Sequence, residues 1–284
     1  MKYFADTTIL IVLYDEKEEI LLKSLELIKN FKIIILDNKN NKKLKKKIEK
    51  KFKIEKYILS KENIGYSKGY NKIISLCDTK YSFIKNPDCF IDEKNIIKLF
   101  NYLEVTENCG IVSPTCFDEN GKYSFNSGLL PENEFRNSII ENEGDICIEK
   151  VLGAAMFVRT NEIKKIGMFD ERLFLYFSDD DLCKKIKKFN KHIVQIYNSQ
   201  CIHVHGISKV RNIIKKIFIR EFYFTLDELI YFNNINKTRY ENIKSKVLNY
   251  ILKSLLNLLM LRITKSVKYF SRIFAFLKFK LLRI

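Results

Sequence analysis

The sequence predicts an α/β fold built on a doubly wound, mostly parallel sheet, followed by a basic helical extension. Three features support this prediction: short unbroken runs of aliphatic residues, helical apolar spacing between those runs, and helical spacing alone after residue 208. An unbroken aliphatic run is typical of a strand buried on both faces, and strands that alternate with helices indicate a parallel sheet. We therefore expect an α/β domain over residues 1–208 and a helical region over residues 209–284.

The first part of the chain supplies the alternation. Strands are predicted at residues 8–14, 32–36, 56–59 and 81–85, and helices at residues 16–29, 42–53 and 67–77. The strand predictions rest on β-branched and aliphatic runs, and the helix predictions rest on apolar residues three or four positions apart. In a parallel sheet the carboxyl ends of these strands lie along one edge.

The pattern after residue 100 is less regular. Short strands are predicted at residues 110–113 and 123–127, a longer strand at 149–159 with Gly153 inside it, a helix at 178–189 and a strand at 192–197. From about residue 209 onward the apolar spacing is helical throughout.

The net charge is concentrated in the C-terminal region. The 284 residues include 51 Lys and Arg and 34 Asp and Glu, a net charge of +17. Residues 209–284 hold 17 of the basic and four of the acidic residues, a net of +13, which leaves +4 for residues 1–208. A nearly balanced domain lacks the uniform basic surface of a nucleic-acid-binding protein, so we expect no nucleic-acid partner.

Cysteine usage and hydropathy predict a cytoplasmic protein that does not span a membrane. The seven cysteines are an odd number, and no two have Cys-x-x-Cys spacing, which fits neither a zinc ribbon nor a disulfide framework. The apolar run at residues 7–14 has only eight residues and is flanked by Asp6 and by Asp15-Glu16, which argues against a secretory signal. No stretch reaches the ~18 uncharged apolar residues that a spanning helix needs.

Polar side chains follow three of the predicted strands, as Tyr14-Asp15, Asp37-Asn38 and Asn86-Pro87-Asp88. Ligands bind outside the carboxyl ends of parallel strands, although Asp and Asn are also common in turns and caps. No Gly-x-Gly-x-x-Gly segment follows the first strand and no Gly-Lys-Ser/Thr loop is present, which argues against dinucleotide oxidoreductases and P-loop enzymes. The segment after the first strand is not glycine-rich, which also disfavours a sugar-phosphate nucleotidyltransferase.

Six motifs in order give a resemblance to a known family. They are Asp37-Asn38, Asn63-Ile-Gly-Tyr-Ser-Lys-Gly-Tyr-Asn71, Asn86-Pro87-Asp88, the glycine strand 151–159, the acidic block 167–183 and His203-Val-His-Gly-Ile-Ser208. On these motifs the chain resembles the family 2 glycosyltransferases, inverting enzymes of the GT-A fold, and especially their rhamnosyltransferase-like branch. The resemblance covers about residues 7–208.

The resemblance implies transfer of a hexosyl or deoxyhexosyl group from a UDP- or dTDP-linked sugar to a glycan or lipid-linked glycan hydroxyl, in bacterial surface polysaccharide synthesis. Mg²⁺ or Mn²⁺ would balance the charge of the leaving diphosphate. Asp88 is the expected metal ligand or else a turn residue, and His203 is either a second ligand or a structural histidine. The implied nucleotide-sugar-binding residues are Tyr14, Asp15, Asp37, Asn38, Asn63, Gly65, Asn71, Asn86, Gly153 and Asp180.

Several of these residues have a second interpretation. Asp15 is either a nucleotide contact or a cap for the helix at 16–29, and Gly65 either permits close backbone approach or turns the chain. Asn86 replaces the first carboxylate of the family's Asp-x-Asp motif. The rival interpretation is a degenerate, inactive transferase fold that binds nucleic acid or lipid through its basic region.

Asp179 is the expected catalytic base, because direct inversion needs a group that takes the proton of the acceptor hydroxyl. Asp179 aligns with the family's catalytic aspartate, while Ser178 stands where the family commonly has Glu. The structural interpretation is an N-cap at Ser178 with acidic residues favoured in the first helical turn. Both interpretations hold together, since a helix start is a rigid platform for one aspartate.

The C-terminal region has an amphipathic pattern. Apolar residues recur at positions 248, 251, 252, 255, 259, 263, 267, 270, 274, 277 and 281, with Lys246, Lys253, Lys268 and Lys278 largely on the other side. A cationic helix with a Leu/Phe face fits the surface of an anionic membrane, which predicts a peripheral protein on the inner face of the cell membrane. The alternative is a helical hairpin packed on the catalytic domain or on a second subunit, so homo-oligomerisation stays open.

Overall fold

A central sheet organises the α/β part of the chain, whose computed structural model describes residues 1–123, 127–133, 143–204, 212–235 and 242–282. The strands are β1 (Thr7–Leu13), β2 (Lys32–Asp37), β3 (Lys56–Leu59), β4 (Tyr81–Lys85), β5 (Cys89–Phe90), β6 (Cys109–Phe117), β7 (Ser127–Gly128), β8 (Ile146–Ile148), β9 (Lys150–Val151), β10 (Ala155–Arg159) and β11 (His192–His203). Within the described residues the order is β3-β2-β1-β4-β10-β6-β11-β5, and β8 pairs with β11.

The first four strands are parallel, as the α/β class predicts. β1 pairs in parallel with both β2 and β4, and β2 pairs in parallel with β3. β10 is antiparallel to β4 and β6, whereas β11 is parallel to β6. The predicted α/β class is therefore confirmed, with antiparallel strands added in the second half of the sheet.

Helices cover the sheet and form the C-terminal region. They are α1 (Lys2–Asp6), α2 (Glu18–Glu26), α3 (Lys42–Lys51), α4 (Gly65–Ser75), α5 (Glu93–Val105), α6 (Thr160–Lys165), α7 (Ser178–Lys188), α8 (Ile213–Asn234), α9 (Ile243–Leu259) and α10 (Ile263–Leu281). The predicted alternation is confirmed with shifts of a few residues at element ends. The patterns did not predict α1, α5 or α6.

The aliphatic runs are buried on both faces of the sheet. Along β1, Ile9 and Ile11 belong to one hydrophobic cluster, while Leu10 between them belongs to another. All three side chains have no exposed surface. This double burial is why these strands lack a polar face.

The single strand predicted at 149–159 is wrong. β9 ends at Val151 and β10 begins at Ala155, so the chain turns at Gly153. The physical reason is that both backbone polar groups of Gly153 bond to side chains: the carbonyl accepts from Tyr66 Oη at 2.9 Å and the N–H donates to Asp179 Oδ2 at 2.9 Å. In a continuous strand the N–H and carbonyl of this residue would instead bond to the backbone of neighbouring strands.

Two other predicted strands have different limits. β11 continues past Tyr197 to His203 through an irregularity in its register with β6, between Ile196 and Gln200. Of the strand predicted at 123–127, Tyr123 forms an isolated bridge with Phe117, and Ser127 begins β7. Positions 124–126 lie outside the described residues.

The contacts between residues form two compact units. The first comprises Met1–Asp170 and Asp179–Lys209, and the second comprises Glu171–Ser178 and Val210–Ile284. The predicted division after residue 208 stays a prediction. The short segment 171–178, which we call the α7 loop, belongs to the helical unit although it lies far from it in sequence.

Within the helical unit, α10 packs against both α8 and α9. The amphipathic run from residue 248 onward is not one helix, since α9 ends at Leu259, α10 begins at Ile263, and Leu261 between them has φ of +55°. Ser254 Oγ donates to the Ser266 carbonyl at 3.1 Å, which ties the two helices into a hairpin. No helix in the described ranges has the length and apolarity needed to cross a bilayer.

Candidate active site

Asp88 and His203 lie together at the end of β4. Asp88 follows the Asn86-Pro87 turn, and pairing of β11 with β5 places His203 opposite Cys89. His203 Nε2 lies 3.2 Å from Asp88 Oδ1. Burial opposes a charge on His203, but the bond to Asp88 and the charges of Asp88 and Cys89 together outweigh burial and raise the pKa of the imidazole. The two expected metal ligands are therefore brought together.

Lys85 is a charged neighbour that the sequence patterns did not single out. Its side chain has no exposed surface, and its ammonium donates to the Asn86 carbonyl at 3.1 Å and to the Ser24 hydroxyl. Burial lowers the pKa of Lys85 to about 8, while the nearby Cys89 and Asp88 act in the opposite direction. The sequence does contain a signal for this residue, since Lys85 ends the apolar run that predicts the strand at residues 81–85.

Glu16 is a second residue that the patterns did not single out. Its carboxylate accepts the Tyr14 N–H at 2.7 and 2.8 Å. Burial, with smaller contributions from the charges of Asp88 and Asp37, raises the pKa of Glu16 to about 7, although the bond from the Tyr14 N–H opposes the rise. The carboxylates of Asp37 and Asp88 thus both act electrostatically on Glu16, an arrangement that favours a nearby cation.

Asp37 is buried and accepts bonds from its own loop. Oδ1 accepts the Lys39 N–H at 2.7 Å, and Oδ2 accepts the Asn41 N–H and the Tyr57 hydroxyl, both at 3.1 Å. Beside it is a solvent-open cleft of about 350 Å³. The cleft is lined by Leu13, Asp15, Glu16, Glu18, Asp37, Lys39, Asn41 and Leu44.

Tyr14 and Asp15 lie at the end of β1 next to this cleft. Lys39 Nζ lies 5.7 Å from the centre of the Tyr14 ring and 3.5 Å from Asp15 Oδ2. Asp15 has φ of +61°. The interpretation of Asp15 as a helix cap is wrong, because the residue before α2 is Lys17 and no side chain caps that helix.

Two asparagines of the motifs, Asn38 and Asn63, bond to the backbone of the turn before α4. Asn38 accepts the Ile64 N–H at 3.1 Å and donates to the Gly65 carbonyl at 3.2 Å. Asn63 accepts the Gly65 N–H at 3.0 Å, and Gly65 has φ of +81°, where glycine is favoured. These bonds fix the turn that begins α4.

Asn71 holds a different segment. Its amide donates to the Phe169 carbonyl and accepts the Phe169 N–H, both at 3.0 Å. Gly167 and Met168, just before this segment, have φ of +87° and +53°. Asn71 therefore stabilises a turn in the acidic block of the sequence.

Asp179 lies in the first turn of α7, together with Asp180 and Asp181. Burial raises the pKa of Asp179, although the bond from the Gly153 N–H opposes this effect. Asp180 forms an ion pair with Lys150 at 3.5 Å. The expected base is therefore half-buried, oriented by a backbone N–H and shifted toward easier protonation.

The two parts of the site are joined through backbone. The Asn86 N–H donates to the Ala154 carbonyl at 2.9 Å, and the preceding residue Gly153 donates to Asp179 at 2.9 Å. The end of β4, which carries Asp88, is thereby linked to the turn that orients Asp179. The sequence patterns did not predict this link, because it joins residues that lie far apart along the chain.

The donor set near Asp88 fits a divalent cation that also receives ligands from a substrate. A carboxylate oxygen and an imidazole nitrogen suit Mn²⁺, and a carboxylate suits Mg²⁺. No cluster of three or more His, Cys, Asp or Glu side chains arranged to hold a metal occurs in the part of the chain that the structure describes. Diphosphate and water oxygens would complete the coordination. His205 and Ser208 of the last motif lie outside the described residues.

Residues 8–159 match the sequence profile described as Glycosyl transferase family 2. This match covers more than half of the chain. The chain belongs to glycosyl transferase family 2. The predicted family is thus confirmed, and its matched region contains Asp37, Asp88 and Gly153 but ends before Asp179.

Two relatives of this member of glycosyl transferase family 2 are named as transferases. The low-salt glycan biosynthesis hexosyltransferase Agl10 of Haloferax volcanii is 25% identical over 166 residues, which are 55% of this chain and 53% of the relative. The dTDP-rhamnosyl transferase RfbF of Shigella flexneri is 24% identical over 198 residues, 64% of this chain and 62% of the relative. The chain thus spans between half and two thirds of the length of these relatives.

Solved glycosyltransferases share the fold. A mannosyltransferase from Pyrobaculum calidifontis in complex with GDP-Man and Mn²⁺ has a TM-score of 0.57 and 10% identity, over 98% of this chain and 88% of that one. GalNAc-T7 with UDP, GalNAc and Mn²⁺ has a TM-score of 0.58 and 11% identity, over 80% and 51% of the two chains. The GT-A fold expected for this member of glycosyl transferase family 2 is confirmed.

Proposed function

We propose that this chain is an inverting, metal-dependent glycosyltransferase of the rhamnosyltransferase-like branch. It moves a hexosyl or deoxyhexosyl group from a nucleoside diphosphate sugar to a hydroxyl of a glycan or lipid-linked glycan in bacterial surface polysaccharide synthesis. The observation that carries the proposal is the backbone link from the Asp88 turn through Ala154 and Gly153 to Asp179. This link supports the proposal that Asp179 acts as a base close to the expected diphosphate site.

In the proposed reaction, Asp179 takes the proton of the acceptor hydroxyl while that oxygen forms a bond to the anomeric carbon. The bond from the anomeric carbon to the diphosphate oxygen breaks on the opposite face, and the nucleoside diphosphate leaves. Burial raises the pKa of Asp179, which strengthens it as a base near neutral pH. A Mg²⁺ or Mn²⁺ bound by Asp88 and His203 would supply positive charge to the diphosphate.

The donor side of the proposal is a UDP- or dTDP-linked sugar. Support comes from the cleft lined by Asp15 and Asp37, from the dTDP-rhamnosyl transferase relative and from the UDP-bound neighbour. The remaining proposed donor contacts come from the ends of β1, β2 and β4, from α4 and the turn before it, and from the Asp179 region. They are Asp15, Asn38, Asn63, Gly65, Asn71, Asn86, Gly153 and Asp180.

Substitution of Asp179 tests the catalytic proposal. UDP-, dTDP- and GDP-linked sugars with Mn²⁺ and a panel of glycoside and polyprenyl-linked acceptors are screened for nucleoside diphosphate release, and NMR identifies the anomer of the product. Asp179→Asn is expected to lower kcat at least about a hundredfold, because general-base catalysis contributes that much, without weakening donor binding. Asp181→Asn is the matched control, since Asp181 is paired with Lys185 at 2.9 Å in the same turn. Near-normal turnover by Asp179→Asn would contradict the proposal, and so would a retained anomeric configuration.

Metal dependence is tested on the protein with UDP alone. UDP with Mn²⁺ is expected to raise the thermal midpoint more than UDP with EDTA does, because a ligand that binds only the folded state stabilises it. The difference should disappear in Asp88→Asn and shrink in His203→Gln. Asp118→Asn, at an exposed turn where Oδ1 accepts the Asn120 N–H at 2.8 Å, is the control. An unchanged Mn²⁺ effect in Asp88→Asn would refute this metal site.

The helical hairpin of α9 and α10 supports the proposed location at the inner face of the cell membrane. Residues 243–284 contain ten Lys and Arg and no Asp or Glu, so two copies of this surface repel each other while anionic lipid attracts it. Exposed apolar side chains lie on α9 and at the hairpin tip. They are Leu248, Leu252, Leu255, Leu256, Leu258, Leu259, Met260, Leu261 and Ile263.

Vesicle binding tests the membrane proposal. The full chain is expected to co-sediment with vesicles that contain phosphatidylglycerol and to bind weakly to pure phosphatidylcholine. Leu255→Gln combined with Leu259→Gln should abolish binding, because buried apolar area drives interfacial insertion. Val105→Gln is the matched control, since Val105 and Leu259 are both 82% exposed and Val105 lies in the first unit. Equal binding by both variants would refute the proposal, as would concentration-dependent dimerisation of the wild type that the double substitution abolishes.

A further inference from the structure

A fully buried carboxylate lies on α8, far in sequence from the motifs. Asp227 has no exposed surface. Its Oδ1 accepts the Phe174 N–H at 3.0 Å, and its Oδ2 accepts the N–H groups of Leu175 and Tyr176, both at 2.8 Å. One side chain therefore binds three consecutive backbone donors of the α7 loop.

Residues 171–177 of the α7 loop need such a partner because they form neither a helix nor a strand. Buried backbone N–H groups outside regular structure must find other acceptors. A carboxylate that accepts several N–H groups makes charge-assisted bonds, which are stronger than neutral ones. Burial raises the pKa of Asp227 to about 6, although the same three backbone bonds oppose this effect.

Aromatic contacts fix the same loop on α8. Phe174 stacks on Tyr223 with ring centres 3.7 Å apart, and Phe177 stacks on Tyr231 at 5.3 Å. Phe177 has φ of +59°, a conformation that costs energy for a bulky residue. The hydrogen bonds and ring contacts hold this strained backbone in place.

The α7 loop leads directly into the proposed base. Its last residue, Ser178, begins α7, and the next residue is Asp179. The backbone held by Asp227 ends at Tyr176, three residues before Asp179. A displacement of the backbone between Tyr176 and Asp179 would move the start of α7. A shift of a catalytic group by about 1 Å can lower the rate about a hundredfold.

We propose that Asp227 is a positioning residue for Asp179, acting through the three backbone bonds that fix the α7 loop. This inference rests on the proposed function, because it assigns a purpose relative to the proposed base. The carboxylate itself touches no reacting atom.

The test compares two conservative variants of buried acids on α8. Asp227→Asn keeps the shape of the side chain but removes its charge and one acceptor. Glu221→Gln is the matched control, because Glu221 bonds to Arg272 on α10 at 2.6 Å. Both variants are expected to lower the thermal midpoint. Only Asp227→Asn should increase hydrogen exchange at the amides of 174–176, and this readout needs no substrate.

Kinetics then separate positioning from stability. With whichever UDP-, dTDP- or GDP-sugar supports turnover, Asp227→Asn should lower kcat about tenfold or more with little change in the donor KM. Combined with Asp179→Asn it should cost nothing further, because both changes remove the same contribution. Equal kcat losses in Asp227→Asn and Glu221→Gln, or unchanged exchange at 174–176, would overturn the inference. Full activity of Asp179→Asn would instead refute the proposed base, while the exchange result still reports on the loop.

Discussion

The turn at Gly153 allows a sharp test of how the site is built. A Cβ placed on this residue overlaps the Tyr66 hydroxyl oxygen and lies 2.9 Å from Tyr66 Cζ and 3.6 Å from Asp179 Cβ. The Tyr66 ring cannot retreat freely, because it packs against Tyr70 and Phe169 with ring centres 4.5 and 5.5 Å away. Gly153→Ala must therefore displace the turn or the tyrosine.

The cost of Gly153→Ala has two sources. Displacing Tyr66 breaks its 2.9 Å bond to the Gly153 carbonyl, and a buried hydroxyl left without an acceptor costs about 1–3 kcal/mol. Overpacking against the ring adds about 1–3 kcal/mol. The sum of about 2–6 kcal/mol should lower the thermal midpoint by at least about 4 °C, at the 2–4 °C per kcal/mol typical of units near 200 residues.

Activity should fall as well, because the same turn donates its N–H to Asp179. We expect kcat for the best UDP-, dTDP- or GDP-sugar donor to drop at least about tenfold, equivalent to about 1.4 kcal/mol in the barrier. The thermal midpoint is measured by calorimetry and kcat by nucleoside diphosphate release. Gly128→Ala is the control, since a Cβ there meets nothing within 4 Å.

A second substitution checks the cause. Adding Tyr66→Phe to Gly153→Ala removes the overlapping oxygen, so the double variant should be more stable than Gly153→Ala alone. Recovery should be incomplete, because the ring carbon at 2.9 Å remains. The reasoning is refuted if Gly153→Ala melts within about 1 °C of the wild type, less than any single cost in this estimate.

Three further predictions concern buried polar groups of the first unit. Asn71→Ala should lower the free energy of unfolding in urea by about 2–4 kcal/mol, because it leaves the buried N–H and carbonyl of Phe169 without their partner; a loss below about 0.5 kcal/mol would contradict this. The pKa of Glu16 rises from 4.5 to about 7 on folding, so the folded state binds more protons than the unfolded state between these pH values. The free energy of unfolding, measured in EDTA, should therefore fall as the pH rises from 4.5 to about 7. Glu16→Gln should remove this pH dependence. The pKa of Lys85 falls from 10.5 to about 8 on folding, so the unfolded state binds more protons between these pH values and the free energy of unfolding should rise with pH. The same pH dependence in a Lys85→Met variant would show that Lys85 is not its source.

Burial on both faces explains why the strands were predictable. Residues of β1 and β2 have no polar face, so their aliphatic runs are visible without knowledge of their neighbours. α5 was also within reach: Asp92 caps it by accepting the Asn95 N–H at 2.8 Å, and Ile96, Leu99 and Leu103 have helical spacing. The prediction missed a signal that the sequence contains.

The break at Gly153 could not be predicted from its own segment. Residues 149–159 are apolar enough for one strand, and the groups that end it belong to Tyr66 and Asp179, 87 and 26 positions away. The membership of the α7 loop in the helical unit is similar, because Asp227 lies more than 50 residues further along the chain. Both features depend on side chains that bond to distant backbone.

A motif position does not by itself show whether its side chain contacts the substrate or bonds to backbone that shapes the site. Asn38 and Asn71 stand at motif positions, yet their amides bond to backbone of the α4 turn and of the segment at Phe169. If these asparagines act on the donor, they act by shaping loops, and their replacement should cost stability together with donor affinity. Asp88 differs, since its side chain is 19% exposed and bonds to another side chain, His203. Loss of Asp88 should therefore affect metal and donor binding with little cost in stability. Comparing the two losses in each variant separates residues that build the site from residues that contact the substrate.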